Sequence, residues 1–118
     1  MVLVATTAGA NVTFLGAAAF PALTVQADTI RVSAALAATA ALVMEGDYTA
    51  LGSPALVLDA GASVTAGSIS LQPSGHGAMA VVTPHALVST ASNLTINSAL
   101  AVSGADSLTL AASGTLWV

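Results

Sequence analysis

Residues 93–118 read NLTINSALAVSGADSLTLAASGTLWV, in which two bulky apolar residues repeatedly flank a small or polar one. Fragments of this kind begin at Leu94, Leu100, Leu108 and Leu116, and the residues between them are the Asn, Ser, Gly, Ala and Asp typical of turns. Alternation with a period of two predicts β-strands, because successive side chains of a strand point to opposite faces. This stretch is therefore expected to form strands of about three to five residues joined by corners of about two to four.

The same fragment recurs earlier in the chain, beginning at Leu23, Ile30, Leu56 and Ile69. Strands of a β-sandwich usually recur about every 8–12 residues, whereas the closer spacing of the last four fragments favours a coiled sheet. Internal repetition predicts a β-solenoid, in which three strands and three corners make one turn of about 20 residues. We therefore expect an all-β chain, with a single β-structured domain over residues 1–118 and on the order of five or six turns.

One segment permits two interpretations. Residues 34–44 join Ala, Leu and Met without Gly or Pro, and these are strong helix formers. A short Ala-rich helix near 34–44, beginning near Ser33 and ending by Gly46, would have suitable end signals and would cap an open end of the solenoid. The other interpretation is one more turn of small-residue strands.

Residues 56–71, LVLDAGASVTAGSISL, and residues 93–116 resemble the repeats of filamentous-haemagglutinin-type adhesins and autotransporter passenger domains. The resemblance lies in the composition and in the regular spacing of the strand-like fragments, and it covers about half of the chain. It implies a right-handed β-helix, secretion, and an adhesive or scaffolding role. A weaker similarity, in size and Gly-containing turns, is to bactofilins, and it implies end-to-end polymerisation.

Charged residues make up only 5% of the chain, against about 25% in ordinary domains, and 56% of the residues are hydrophobic. A single cation, Arg31, accompanies five acidic residues. Nucleic-acid binding is excluded, because neutralising phosphates needs several Lys or Arg on one face. With so little charge, either Ser, Thr, Asn and Gly provide the solvated surface or copies of the chain cover much of it.

Membrane insertion through a helix is also not expected. Gly and Pro interrupt the charge-free stretch between Asp59 and Asp106, so it contains no continuous apolar run of about 20 residues. The start of the chain is apolar but lacks the basic region of a secretory signal, which provides no support for the secretion that the resemblance implies. The chain has no cysteine, so redox chemistry does not indicate a compartment.

Few side chains suit catalysis or metal binding. His76 and His85 lie in Gly- and Pro-containing turns without a third ligand nearby, so solvated loop histidines are expected rather than a metal site. The pair Glu45 and Asp47, separated by a glycine, matches no calcium motif and is interpreted as a turn. Two carboxylates could in principle hydrolyse a glycoside, but Tyr48 is the one aromatic residue near these acids on which a sugar could stack, so this activity is not expected. We predict no catalytic residue, no cofactor and no enzyme activity.

The two ends of the sequence carry a stronger signal. Both ends are apolar and read as strands, whereas the ends of a monomer are usually polar and frayed. Apolar end strands are sites for strand addition, so they are predicted to mediate self-association. Alternatively, the 118 residues are a section of a longer solenoid. The predicted self-association residues are Val2, Leu3, Val4, Leu116, Trp117 and Val118.

Three functional hypotheses share these features. The first is a structural subunit that assembles with copies of itself into an extracellular filament, sheath, coat or surface layer. The second is an adhesin or carbohydrate-binding module at the cell surface, with a glycan or host partner. The third is a virion structural protein of a capsid or fibre.

Overall fold

A computed structural model describes residues 1–5, 7–47, 54–75 and 77–118 of the chain. Within these ranges the regular structure consists of short β-strands and contains no helix. In chain order the strands are β1 (Val2–Val4), β2 (Asn11–Phe14), β3 (Ala18–Phe20), β4 (Leu23–Gln26), β5 (Thr29–Val32), β6 (Ala35–Ala38), β7 (Ala41–Glu45), β8 (Pro54–Leu58), β9 (Ser63–Ala66), β10 (Ser68–Leu71), β11 (Ala78–Val82), β12 (His85–Ser89), β13 (Leu94–Ile96), β14 (Ala99–Ser103), β15 (Leu108–Ala112) and β16 (Leu116–Trp117).

The strands coil into three parallel sheets. The first sheet has the order β1-β4-β7-β10-β13-β16, the second β2-β5-β8-β11-β14, and the third β3-β6-β9-β12-β15. Each sheet thus takes every third strand, as a coil with three strands in each turn requires. The protein is a β-solenoid of about five turns, which confirms the fold predicted from the repeated fragments.

Successive turns stack in register. In the first sheet Leu23, Leu42, Ile69, Leu94 and Leu116 lie one above another, so the four turns between them contain 19, 27, 25 and 22 residues. The strands keep their length and the corners absorb the difference, because loop length costs little free energy once the sheet positions are fixed. These four turns average about 23 residues, slightly more than the predicted average of about 20.

The core is the apolar interior of the coil. In β4, Leu23 and Val25 are buried while Thr24 between them is partly exposed, and β10 and β13 repeat the pattern. Alternation places every second side chain inside, where Leu, Ile, Val and Met of neighbouring turns contact one another. Burial of these side chains, each worth about 1.5–3 kcal/mol, is the main stabilising term of the fold.

The Ala-rich segment forms two strands, β6 and β7, and the helical interpretation of residues 34–44 is wrong. Leu36, Leu42 and Met44 are fully buried at alternate positions of their strands. Both strands have parallel neighbours on each side, β3 and β9 for β6, β4 and β10 for β7. Tertiary pairing overrides the helix propensity of alanine, which is a weak preference.

Two corners hold successive turns at close distance. A Cβ on Gly67 would lie 2.7 Å from the carbonyl oxygen of Thr39 in the turn below, so a larger residue would force the backbones apart. At the next corner of the same two turns, the buried Gln72 accepts a hydrogen bond from the Gly46 N–H at 2.6 Å and donates one to the Gly46 carbonyl at 3.2 Å. Such bonds satisfy backbone groups that the corner leaves outside the sheets.

Among the described residues we find no helix of the length and apolarity that crossing a membrane requires.

Candidate functional site: the two open ends of the column

The column has two ends, and each presents three strand edges. The head face is formed by β1, β2 and β3, and the tail face by β14, β15 and β16. Within the described residues each of these six strands has a strand neighbour on one side only. Their outer N–H and C=O groups are therefore available to pair with a further strand.

Apolar side chains are exposed mainly at these two faces. Nine large hydrophobic residues of the described chain are exposed, and eight of them lie in or beside the strands of the head and tail faces. The ninth, Val82, lies on the flank of the column in β11. The eight are Met1, Val2, Val4, Leu15, Val102, Leu116, Trp117 and Val118.

The exposure has a simple structural cause. Val81 and Val102 occupy the same position in neighbouring strands of the second sheet, yet Val81 is 1% exposed and Val102 is 50% exposed. The same holds in the first sheet, where Leu94 is fully buried and Leu116, directly above it, is 46% exposed. At the tail face the interior rows of apolar side chains thus end in solvent. At the head face the exposed Val2 and Val4 pair with the outward Thr24 and Gln26 and extend the outer surface of the first sheet, whereas Leu3 continues the interior row.

Five of the six residues predicted for self-association are exposed at the faces: Val2 and Val4 at the head, and all three tail residues. Leu3 instead points inward and packs against the core. The fold brings both predicted groups to strand edges but places them at opposite ends of the column.

Sequence reasoning missed the remaining residues of both faces. Val12 and Phe20 lie beside the core at the head, and Leu100, Leu108 and Leu110 do so at the tail. These residues are 6–16 positions away from the nearest predicted ones, and the coil alone brings them to the same face. Counting three strands from each end would have found them, because one turn forms one face.

Charge is absent from the strands of the two faces. None of the six contains Asp, Glu, Lys, Arg or His. Covering these strands would therefore bury no ionised side chain, which removes the largest desolvation cost of an interface. Asp106, in the corner between β14 and β15, is the acidic residue nearest in sequence to a tail strand.

On the flank, Arg31 and Asp59 form a two-point ion pair across neighbouring turns. The Arg31 Nε lies 2.7 Å from one Asp59 oxygen and a terminal guanidinium nitrogen lies 2.9 Å from the other. The Ser33 hydroxyl donates a further bond to the carboxylate at 2.5 Å. Donation from Arg31, then from Ser33, lowers the pKa of Asp59, and the partnership raises that of Arg31. The ion pair links two neighbouring turns, and the charges of Arg31 and Asp59 are directed at each other rather than at a ligand.

His85 is buried, so its interpretation as a solvated loop histidine is wrong. It is the first residue of β12 and pairs with Leu108, which places the imidazole inside the column. Its Nδ1 lies 3.3 Å from the Asp59 carbonyl oxygen, whereas its buried Nε2 has no hydrogen-bond partner in the described structure. Burial disfavours the imidazolium and lowers the pKa of His85.

A shallow cleft of about 380 Å³ lies beside His85, lined by Gly61, Pro84, Ser107 and Thr109 among others. It contains hydroxyl groups but no charged side chain, and the buried Nε2 is not exposed to it. These features provide no anchor for an ionic ligand.

The acids at the Ala-rich segment occupy separate positions. Glu45 is the last residue of β7 and accepts hydrogen bonds from the backbone N–H and the hydroxyl of Ser74, while Asp47 is buried with a φ of 51°. No group of three His, Cys, Asp or Glu suited to a metal ion occurs within the described ranges. His76 and Tyr48 lie outside the described residues.

Comparisons with known proteins found no match: no protein-family model and no curated protein matches the chain, and no solved structure matches it.

Proposed function

We propose that this protein is a structural subunit that assembles with copies of itself, head face to tail face, into a filament or into a sheath, coat or surface layer built from such filaments. The resemblance to secreted repeat proteins favours a place outside the cell or at its surface. No cofactor or catalytic group takes part in this function. The partner is a second copy of the chain.

The observation that carries the proposal is the concentration of exposed apolar side chains at the two faces. Exposed apolar side chains beside unpaired strand edges mark a site of association. Both faces offer the same parallel strand edges that the column pairs internally, so a second copy would continue each sheet as an additional turn does.

The first test is electron microscopy with sedimentation of the purified chain across a micromolar concentration series. Filaments about as wide as one column, appearing above a critical concentration, are the expected result. A monodisperse monomer at every concentration would contradict the proposal.

A matched pair of variants locates the contact. Val102→Lys places a charge on the tail face, where the side chain lies at the end of the interior column, and it should abolish filaments. Val82→Lys makes the same change at an exposed valine on the flank and should leave filaments intact. Circular dichroism checks that both variants keep the β-structure. If Val82→Lys blocks assembly and Val102→Lys does not, association uses the flanks.

A further inference from the structure

His85 lies at a corner of the coil where three successive turns are in contact. Residues 83–84 join β11 to β12, which begins at His85. The equivalent corner of the turn below is residues 59–62, and that of the turn above is residues 104–107. Because His85 is in register with the inward Leu108, its imidazole points to the interior of the column, and only 4% of the residue is exposed. A titratable ring thus lies among the apolar side chains of the core.

Hydrogen bonds close this corner over the ring. The Thr83 N–H donates to the Ser103 carbonyl at 2.9 Å, and the His85 N–H donates to the Ser107 carbonyl at 3.3 Å. The Thr83 hydroxyl donates to the same Ser103 carbonyl and accepts a bond from the Asp106 N–H, both at 3.2 Å. The imidazole can reach bulk water only if some of these bonds to the turn above break.

The two ring nitrogens have different surroundings. Nδ1 of His85 lies 3.3 Å from the Asp59 carbonyl oxygen, an acceptor that suits a neutral ring with its proton on Nδ1. Nε2 is buried without a hydrogen-bond partner in the described structure. A second proton, on Nε2, would place a charged N–H donor where it meets neither an acceptor nor water, which is a costly arrangement. The closed corner therefore favours the neutral imidazole.

Charged groups on the surrounding elements do not provide the missing acceptor. The Asp59 carboxylate, in the corner below, accepts hydrogen bonds from Arg31 and Ser33, and Asp106, in the corner above, is exposed. The strands β8, β9, β11, β14 and β15 contain no Asp, Glu, Lys or Arg and no further histidine. Burial therefore lowers the pKa of His85 by more than the carbonyl and the charge of Asp59 raise it.

We propose that His85 is an acid-sensitive switch: uptake of a proton on Nε2 opens the corner at residues 83–85, and the imidazolium turns outward into the adjacent cleft. This cleft of about 380 Å³ is lined by the ring and by Ser107 and Thr109, whose hydroxyls, with water, can accept its hydrogen bonds. Opening breaks the bonds to Ser103 and Ser107, so acid loosens the turn that contains β14 and β15. The switch acts within a single copy and does not depend on the proposed assembly.

Amide hydrogen exchange, resolved by NMR, tests the switch in the wild-type protein. Between about pH 7.5 and pH 5.5 the protection factors of the Thr83, His85 and Asp106 amides should fall by up to roughly tenfold, because the open state binds a proton near pH 6.5 and the closed state does not. The Gly67 and Ser113 amides, whose hydrogen bonds join turns at a different corner, should keep their protection. Unchanged protection at the first three amides, or an equal fall at all five, would overturn the proposal.

The imidazole resonances provide a second readout that needs no variant. The His85 ring should titrate below about pH 6.5, at the pH where the fall in amide protection levels off, because the closed state then also binds the proton. A His85 ring that titrates while the protection factors stay constant would contradict the switch.

Two matched variants assign the effect to this histidine. His85→Leu removes the titrating ring and should make the protection of the Thr83 and Asp106 amides independent of pH over this range. His76→Leu makes the same change at the other histidine of the chain and should preserve the wild-type fall. A fall that persists in His85→Leu, or that disappears in His76→Leu, would show that His85 is not the switch.

Discussion

Truncating two leucines of one stacked column should separate stability of the subunit from stability of the assembly. Leu94 and Leu116 are register partners in the first sheet, and their side chains belong to the same interior row. Leu94 is fully buried, whereas Leu116 is 46% exposed at the tail face. Leu94→Ala and Leu116→Ala remove the same atoms from these two environments.

The expected magnitudes follow from burial. Leu94→Ala should lower the free energy of unfolding by about 3–4 kcal/mol, because buried leucines cost about 2.7–5.0 kcal/mol when a cavity remains. Leu116→Ala should cost the isolated subunit about 1 kcal/mol or less, because only half of the side chain leaves water and solvent fills the space. In the assembly Leu116 becomes interior, so its loss should cost about 1.4 kcal/mol more and raise the critical concentration roughly tenfold.

Urea unfolding followed by circular dichroism, far below the critical concentration, measures the first quantity, and sedimentation of the assembled fraction measures the second. Leu116→Met is the control, because it conserves volume and should leave both values nearly unchanged. The reasoning would be refuted if Leu116→Ala destabilised the dilute subunit as much as Leu94→Ala does. An unchanged critical concentration for Leu116→Ala would equally refute the tail face as the contact.

Three further predictions concern the subunit. Gly67→Ala should destabilise it by about 1–3 kcal/mol in urea unfolding, because the new Cβ meets the Thr39 backbone, whereas Gly16→Ala, with nothing within 4 Å, should be neutral or slightly stabilising. Wild-type thermal stability should decline as the pH falls below about 6.5, the ordinary histidine pKa, because burial lowers the pKa of His85 and favours the neutral imidazole in the folded state. His85→Leu should abolish this decline, and a decline that persists in the variant would show that His85 is not its cause. Asp59→Asn should remove a second decline in thermal stability, below about pH 4. The lowered pKa of Asp59 gives stability that is present above the ordinary aspartate pKa and is lost as the carboxylate becomes protonated. A variant that loses stability in acid as the wild type does would contradict this.

The fold was largely predictable because strand periodicity and repetition are local signals. Leu94-Thr95-Ile96 alternates inward and outward in the structure as it does in the sequence pattern. The Ala-rich segment was undecidable locally, since alanine suits a helix and also the narrow interior of a coil. Its state depends on Leu36 and Leu42 filling core positions between neighbouring turns, which is tertiary information.

The candidate site was predictable only where it coincides with the ends of the sequence. Turns of 19 to 27 residues have no constant period, so the phase of the coil cannot be counted from one end to the other. That irregularity hides the relation between Val102 and Leu116, which share the tail face. It also hides the burial of His85, whose neighbours Pro84 and Thr83 suggest a turn although its strand begins immediately at the histidine.

The two faces of the column differ, and this difference determines the kind of assembly that the subunit can form. A head face meets a tail face with all strands parallel, as within the column, whereas two head faces would have to pair antiparallel strands. In the proposed assembly the contact between copies would therefore be heterologous, and each added copy would leave one head and one tail open. A head-to-tail contact adds copies along the axis of the column, so the assembly that we propose would grow as a filament.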